Sequence, residues 1–254
     1  MDKDESSEEI TVTPIIISIL FFCGFVTVIF NTVQYFHHNS DHEQITNNVT
    51  RLKKTSRCEN CDLSSVNLNG AQLNKTELAN ALLKSATMTH SNLQHVDLEK
   101  ANLEGTNLRS ANLFRANLTH SFLNNALLDK ANLQHAEMNG ADLSGASLSN
   151  ANLQFAELSN ARLYNADFHN ADITEANMEK ANFDEAKLNG VKAQFVNFKY
   201  SSFIGTDLSG GDFRESDFHG AIIDGVNLQG AHFDGARWIN GIACKENSTG
   251  RCIQ

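Results

Sequence analysis

Ala101-Asn102-Leu103-Glu104-Gly105 and, further along, Ala151-Asn152-Leu153-Gln154-Phe155 are two copies of one five-residue unit. Stepping by five from Leu63 to Trp238 gives 36 such units without an insertion. The central position, i, holds 22 Leu, seven Phe, three Met, two Ile, Trp238 and one odd Ala193. Position i−2 holds 22 Ala, five Val, four Ser, three Thr, Cys61 and Gly211. A strict repeat makes neighbouring units share one continuous core. A helix does not fit, because apolar residues spaced by five wind around its surface and form no stripe. A plain strand does not fit either, because five is odd and breaks the alternation of period two. The spacing predicts a short extended piece and then a corner, repeated, with i and i−2 inward and the other three positions outward.

The residue at i+2 carries the corner. Gly stands there at eleven places from Gly70 to Gly235 and Asn at six from Asn80 to Asn170. Both tolerate the positive φ that a type II turn demands. Charged, His and aromatic residues also occupy i+2, which predicts that some corners use another turn.

The unit resembles the A-(D/N)-L-x-x motif of the pentapeptide-repeat family over residues 61 to 240. The resemblance implies an all-β fold, a right-handed quadrilateral β-helix with four units per coil. Nine coils would make a rod roughly 43 Å long at the usual spacing between strands. Four units per coil place residues twenty apart in one column. Phe183 then lies over Phe203, Phe213 over Phe233, and Phe198, Phe218 and Trp238 share a column as core packing. Ala193 is the one underfilled centre, and Val191 and Val196 beside it restore the volume.

Outside the repeat, residues 1–9 carry five acids and one Lys, a composition that predicts disorder. Residues 10–36 hold no charge and are long enough for a transmembrane helix, an uncleaved single-pass anchor. Residues 37–57 read as a polar linker with an N-terminal cap near Leu52. Residues 58–238 are the repeat, and 239–254 must close its last coil. Some lid is needed at each end, because an open coil exposes strand edges.

Cys23 lies in the anchor, and the other four cysteines sit at the two ends of the repeat. Cys58 with Cys61, and Cys244 with Cys252, are the disulfide candidates, which favours an oxidising compartment. The tail from Trp238 through Cys244 to Gly250-Arg251-Cys252 also resembles the closing segment of exported family members. The basic run Arg51-Leu52-Lys53-Lys54 argues for the opposite orientation. The reading places the protein in the cytoplasmic membrane with its repeat on the periplasmic or extracytoplasmic side.

Chemistry is sparse. Cys58-x-x-Cys61 lacks the helix N-terminus of a redox motif and two further ligands for zinc. A redox factor using these thiols is the third-ranked reading. The ten histidines read as solvated, with His95 and His135 on one face but two coils apart, Arg115 between them, and His37, His38 and His42 beside the anchor. No catalytic residue, cofactor or metal site is assigned, since no P-loop, dinucleotide fingerprint or HExxH is present.

The net charge is −10, with thirteen acids and six bases in 151–236 against eight and six in 62–150. Direct nucleic-acid binding is not expected of such a surface. The sequence therefore reads as a membrane-anchored, non-enzymatic scaffold or protein-interaction rod of unknown partner, with a homo-oligomer left open. The alternative rests on resemblance to the fluoroquinolone-resistance proteins of the same family, acidic rods that imitate duplex DNA and engage DNA gyrase. It implies action on a DNA-binding protein such as a type II topoisomerase. This chain differs from them in having an anchor and in lacking projecting loops.

Overall fold

The computed structural model describes residues 43–254. The acidic N-terminus of 1–9, the anchor of 10–36, Cys23, His37, His38 and His42 lie outside the described residues. Among the described residues no helix is long and apolar enough to cross a membrane.

Each unit forms one parallel bridge, through its i−1 residue, with the unit twenty residues on: Asp62 with Leu82, Asn112 with Asn132, Asp217 with Arg237. Four units therefore make one coil. The unit Ala111–Arg115 shows why the motif has its composition. Ala111 donates its N–H to the Leu108 carbonyl at 3.0 Å and closes the corner. Asn112 donates to Ser91 of the coil before, while Leu113 and Arg115 donate to Asn132 and Gln134 of the coil after. That leaves the Phe114 N–H, and the Asn112 side-chain Oδ1 accepts it at 3.2 Å. All five backbone donors are satisfied, which a stacked chain with no water inside requires. Asn or Asp at i−1 is thus part of the backbone hydrogen-bond scheme.

The corners depart from the sequence reading. Every i+2 residue from Ser65 to Gly235 has positive φ, including Lys75 at 59°, Phe155 at 61° and Glu175 at 59°. The corner residue takes one backbone conformation throughout. The left-handed conformation costs a non-glycine residue about 1–2 kcal/mol. The ladder overrides it, because any other φ would turn the i+2 N–H away from the next coil and break the stack. Local preference alone suggested a mixture that the periodic hydrogen bonds do not allow.

Inside, i and i−2 fill the core; Leu113 is fully buried and Ala111 nearly so. The aromatic columns form at the expected spacing. Phe183 and Phe203 stack with centroids 5.0 Å apart, Phe213 and Phe233 at 5.4 Å, and Phe198 and Phe218 at 4.9 Å. Rings on adjacent faces also meet edge to face, as Phe198 does with Phe203 at 5.3 Å. The distal core is therefore one aromatic cluster and not three separate columns.

The segment read as a polar linker is helical over residues 43–55. Ile45, Val49 and Leu52 fall at helical spacing, and Leu52 is buried with Val49 packed against the core. The Asn48 amide donates to the Asp62 carbonyl at 2.9 Å and ties the helix to the first coil. At the other end, residues 239–254 cover only half of the last coil. The tail pairs antiparallel, Arg237 with Ala243 and His232 with Thr249. The Phe233 and Trp238 N–H groups donate to Ser248 and Ile242. The half formed by 221–230 has less cover: the inward residues Ile223, Val226 and Leu228 are only partly buried.

Candidate functional site

The four faces are named by their centres: the first runs from Leu63 to Ile223, the second from Leu68 to Leu228, the third from Leu73 to Phe233 and the fourth from Leu78 to Trp238. Side chains at i−1, i+1 and i+2 make the surface, and each forms a column along the rod.

The cysteines lie at the two ends of the column. The Cα atoms of Cys58 and Cys61 are 5.2 Å apart and those of Cys244 and Cys252 5.1 Å, distances that a disulfide can span. Cys58 lies under the helix, with Sγ 3.5 Å from the Asn48 carbonyl. Among the described residues no group of three or more His, Cys, Asp or Glu side chains could hold a metal ion.

His95 and His135 are not simply separated. The Phe114 ring stands between them, with centroids 5.9 Å from His95 and 5.7 Å from His135, and the Arg115 guanidinium lies 5.2 Å over it. His135 then stacks flat on Phe155 at 4.9 Å. This is an aromatic row along the third face, and neither histidine is placed to chelate. Phe114 is at i+1 and His95 at i+2, so their meeting follows only once the coil length is known.

Ala193 is fully buried. Val191 and Val196 are buried beside it, and the Ser216 hydroxyl inserts into the corner. Val196 donates its N–H to Ser216 Oγ at 3.0 Å, and that hydroxyl donates onward to the Ala193 carbonyl. Other buried hydroxyls act in the same way: Thr106 donates to Leu83 at 2.8 Å and Ser201 to Met178 at 2.9 Å. Each gives a core-facing polar group a partner and needs no catalytic explanation.

Much of the charge is arranged in rungs. Arg57 meets Glu77 at 2.6 Å, Lys84 meets Glu104 at 2.9 Å and Arg109 meets Asp129 at 2.9 Å, each pair one coil apart. Exposed pairs of this kind contribute about 0–1 kcal/mol each. Arg214 grips Asp212 through two nitrogens, at 2.8 and 2.6 Å. Those bonds hold the Asp212 carboxyl below its ordinary value, against the opposing effect of partial burial. Beside this pair, where the tail rises along the third face, lies an open cleft of about 620 Å³ lined by Gln194, Phe195, Arg214, Glu215, Lys245 and Glu246.

The family model described as pentapeptide repeats matches the chain in 8 copies, including residues 61–99, 111–150, 151–190 and 201–237. No curated protein sequence matches significantly. Among solved structures, the chain is similar to HetL of the cyanobacterium Nostoc, a pentapeptide repeat protein involved in heterocyst differentiation regulation. Identity is 28%, over 74% of this chain and 91% of that one, with a TM-score of 0.40. It is similar also to QnrB1, a plasmid-mediated fluoroquinolone resistance protein, at 20% identity over 67% of this chain and 90% of that one, with a TM-score of 0.38. A pentapeptide repeat protein of the Arabidopsis thaliana thylakoid lumen matches at 23% identity over 43% and 66%, with a TM-score of 0.25.

Proposed function

This chain belongs to the pentapeptide-repeat family, whose fold is the right-handed β-helix, and from that premise we propose that it is a non-enzymatic rod tethered to a membrane. Residues 10–36 are the anchor, uncharged over their whole length. The repeat stands on the extracytoplasmic side and offers its regular faces to a protein or another component of the cell envelope. One observation carries this reading. Four cysteines lie in two close pairs, one at each end of the repeat, and no cysteine lies in the coils between. Paired thiols persist where the surroundings are oxidising and are rare where they are reducing. The oxidised state of both pairs is part of the proposal. The test is fractionation: the full chain should pellet with membranes and resist a high-pH carbonate wash. Recovery in the soluble fraction would refute the anchor.

The acidic distal half favours a second reading, a rod that occupies the DNA site of a protein such as a type II topoisomerase. It requires the opposite orientation. Purified full chain in detergent micelles should then inhibit or protect supercoiling by DNA gyrase, and no effect at micromolar protein would remove it.

A further inference from the structure

Large apolar side chains on the surface of the repeat gather on one face. Among the described residues of 58–238 eight are exposed, and five of them, Leu82, Phe122, Tyr164, Ile204 and Ile222, stand at i−1 or i+1 on the first face. Single exposed apolar residues are ordinary, whereas an aligned set marks an interaction surface. Leu82, Phe122 and Ile222 occupy i−1, the position from which Asn112 accepts the Phe114 N–H. A hydrocarbon side chain gives up that bond, and at 44–54% accessibility these three recover little through burial.

The set has a period of two coils, counted from the coil that begins at Leu63. The even coils carry Leu82, Phe122, Tyr164 and Ile204, and no carboxylate at i−1 or i+1. Each odd coil carries one carboxylate there: Asp62, Glu104, Asp142, Asp184 and, beside Ile222 in the last, Asp224. Apolar and acidic rungs therefore alternate, each kind repeating at about 9.6 Å. The face has two cations at these positions, both engaged: Lys84 with Glu104 at 2.9 Å and Arg162 with Asp142 at 3.5 Å. Five carboxylates against two cations leave the face at −3.

This pattern selects its occupant. Two copies of the chain do not fit each other, because any register that lays apolar rungs together also lays carboxylate on carboxylate, and like charges so placed oppose association. Nucleic acid and anionic lipid are repelled for the same reason. An extended strand repeats on one side at about 6.6–6.8 Å, out of step with rungs about 4.8 Å apart. An α-helix advances about 5.4 Å per turn, so successive turns fall on successive rungs and one heptad, about 10.5 Å, spans an apolar and an acidic rung. We propose that the first face binds an amphipathic α-helix of a partner protein, with an apolar residue on one turn and a basic residue on the next. Its apolar side chains rest on Leu82, Phe122, Tyr164 and Ile204, and its cations reach the carboxylates of the odd coils. The mismatch, roughly 1 Å per heptad, is within the reach of flexible Lys and Arg stems. The inference rests on the reading of the chain as a protein-interaction rod, and it names the face and the partner.

The test is calorimetric titration of the full chain in non-ionic detergent micelles, with empty micelles as the blank. The titrant is a peptide of about 28 residues, four heptads with Leu at a, Arg at d and Ala or Gln elsewhere. Saturable binding is expected, weakened roughly tenfold by Leu82→Asn and again by Phe122→Asn. Both substitutions install the residue that the motif itself uses at i−1, so the thermal midpoint should not fall. A peptide of the same composition with its Leu and Arg positions scrambled should bind at least about tenfold more weakly. Phe195→Asn, at an exposed corner outside this face, should leave affinity unchanged. No binding above the blank overturns the proposal. So does binding that both first-face variants leave intact, that Phe195→Asn weakens equally, or that the scrambled peptide matches. Sedimentation of the same samples without peptide should show no dimer that Phe122→Asn dissolves; such a dimer would give the face to a second copy and overturn the proposal. The titration is independent of membrane insertion. A chain that pellets with membranes and binds no peptide refutes the helix alone, whereas a soluble chain that binds it refutes the tether alone.

Discussion

Phe198→Ala is the most demanding test of the core. Phe198 is fully buried, and its ring meets Phe218 at 4.9 Å, Phe203 at 5.3 Å, Phe183 at 5.7 Å and Phe213 at 6.2 Å. Truncating a buried Phe costs about 3–5 kcal/mol, the upper end applying where the cavity cannot collapse. Collapse is hindered here, because the four neighbouring rings are held by a backbone ladder that fixes the distance between coils. The aromatic contacts add about 0.5–1.5 kcal/mol per pair beyond burial, part of it already counted in the truncation. We expect a loss of about 4–5 kcal/mol. For a domain of this size that lowers Tm by roughly 10–15 °C. Phe195→Ala, three residues earlier and 60% exposed, should cost less than about 0.5 kcal/mol. Far-UV circular dichroism during thermal and urea denaturation measures both. A cost below about 1 kcal/mol for Phe198→Ala, or equal costs at the two sites, would refute the inward column.

The other predictions follow from the same geometry. Leu113→Asp puts a carboxylate at a fully buried centre and should cost about 4 kcal/mol or more; Asn112→Lys, which faces outward, removes the hydrogen bonds its side chain accepts from the Phe114 N–H and the Asn132 amide and should cost about 1–2 kcal/mol. Equal melting curves for those two would contradict the face assignment. Cys244→Ser should weaken the C-terminal cap by about 2–3 kcal/mol, the range for so short a loop, and a reductant should reproduce the loss in the parent. The depressed Asp212 carboxyl contributes stability that is present above its unfolded-state value and lost as pH falls through the lower folded-state value. Asp212→Asn should therefore be less stable than the parent at neutral pH and nearly equal to it near pH 2, and a difference that persists into acid would count against the Arg214 pairing.

Much of the column was legible from the unbroken five-residue step. The inward set, the aromatic columns and the positions of the outward histidines follow from counting once a coil is four units long. Three features were not legible, for different reasons. The uniform corner was hidden because Lys75 or Glu175 disfavours positive φ locally, and only the continuous ladder forces it. The half-covered last coil depends on how far the tail from Ile239 can reach after folding back, which composition does not reveal. The row of Phe114, His135, Phe155 and Phe195 is spread over eighty residues of sequence and becomes a surface only after coiling. The insertion of Ser216 at Ala193 belongs with it, since a residue 23 positions away completes that corner.

Orientation decides the central claim. An exposed cysteine introduced as Phe122→Cys, at an outward position that is 51% accessible, can be probed in intact cells with a membrane-impermeant maleimide before and after permeabilisation. The account predicts labelling of intact cells equal to that of permeabilised ones. Labelling that appears only after permeabilisation would place the repeat in the cytoplasm and contradict the account.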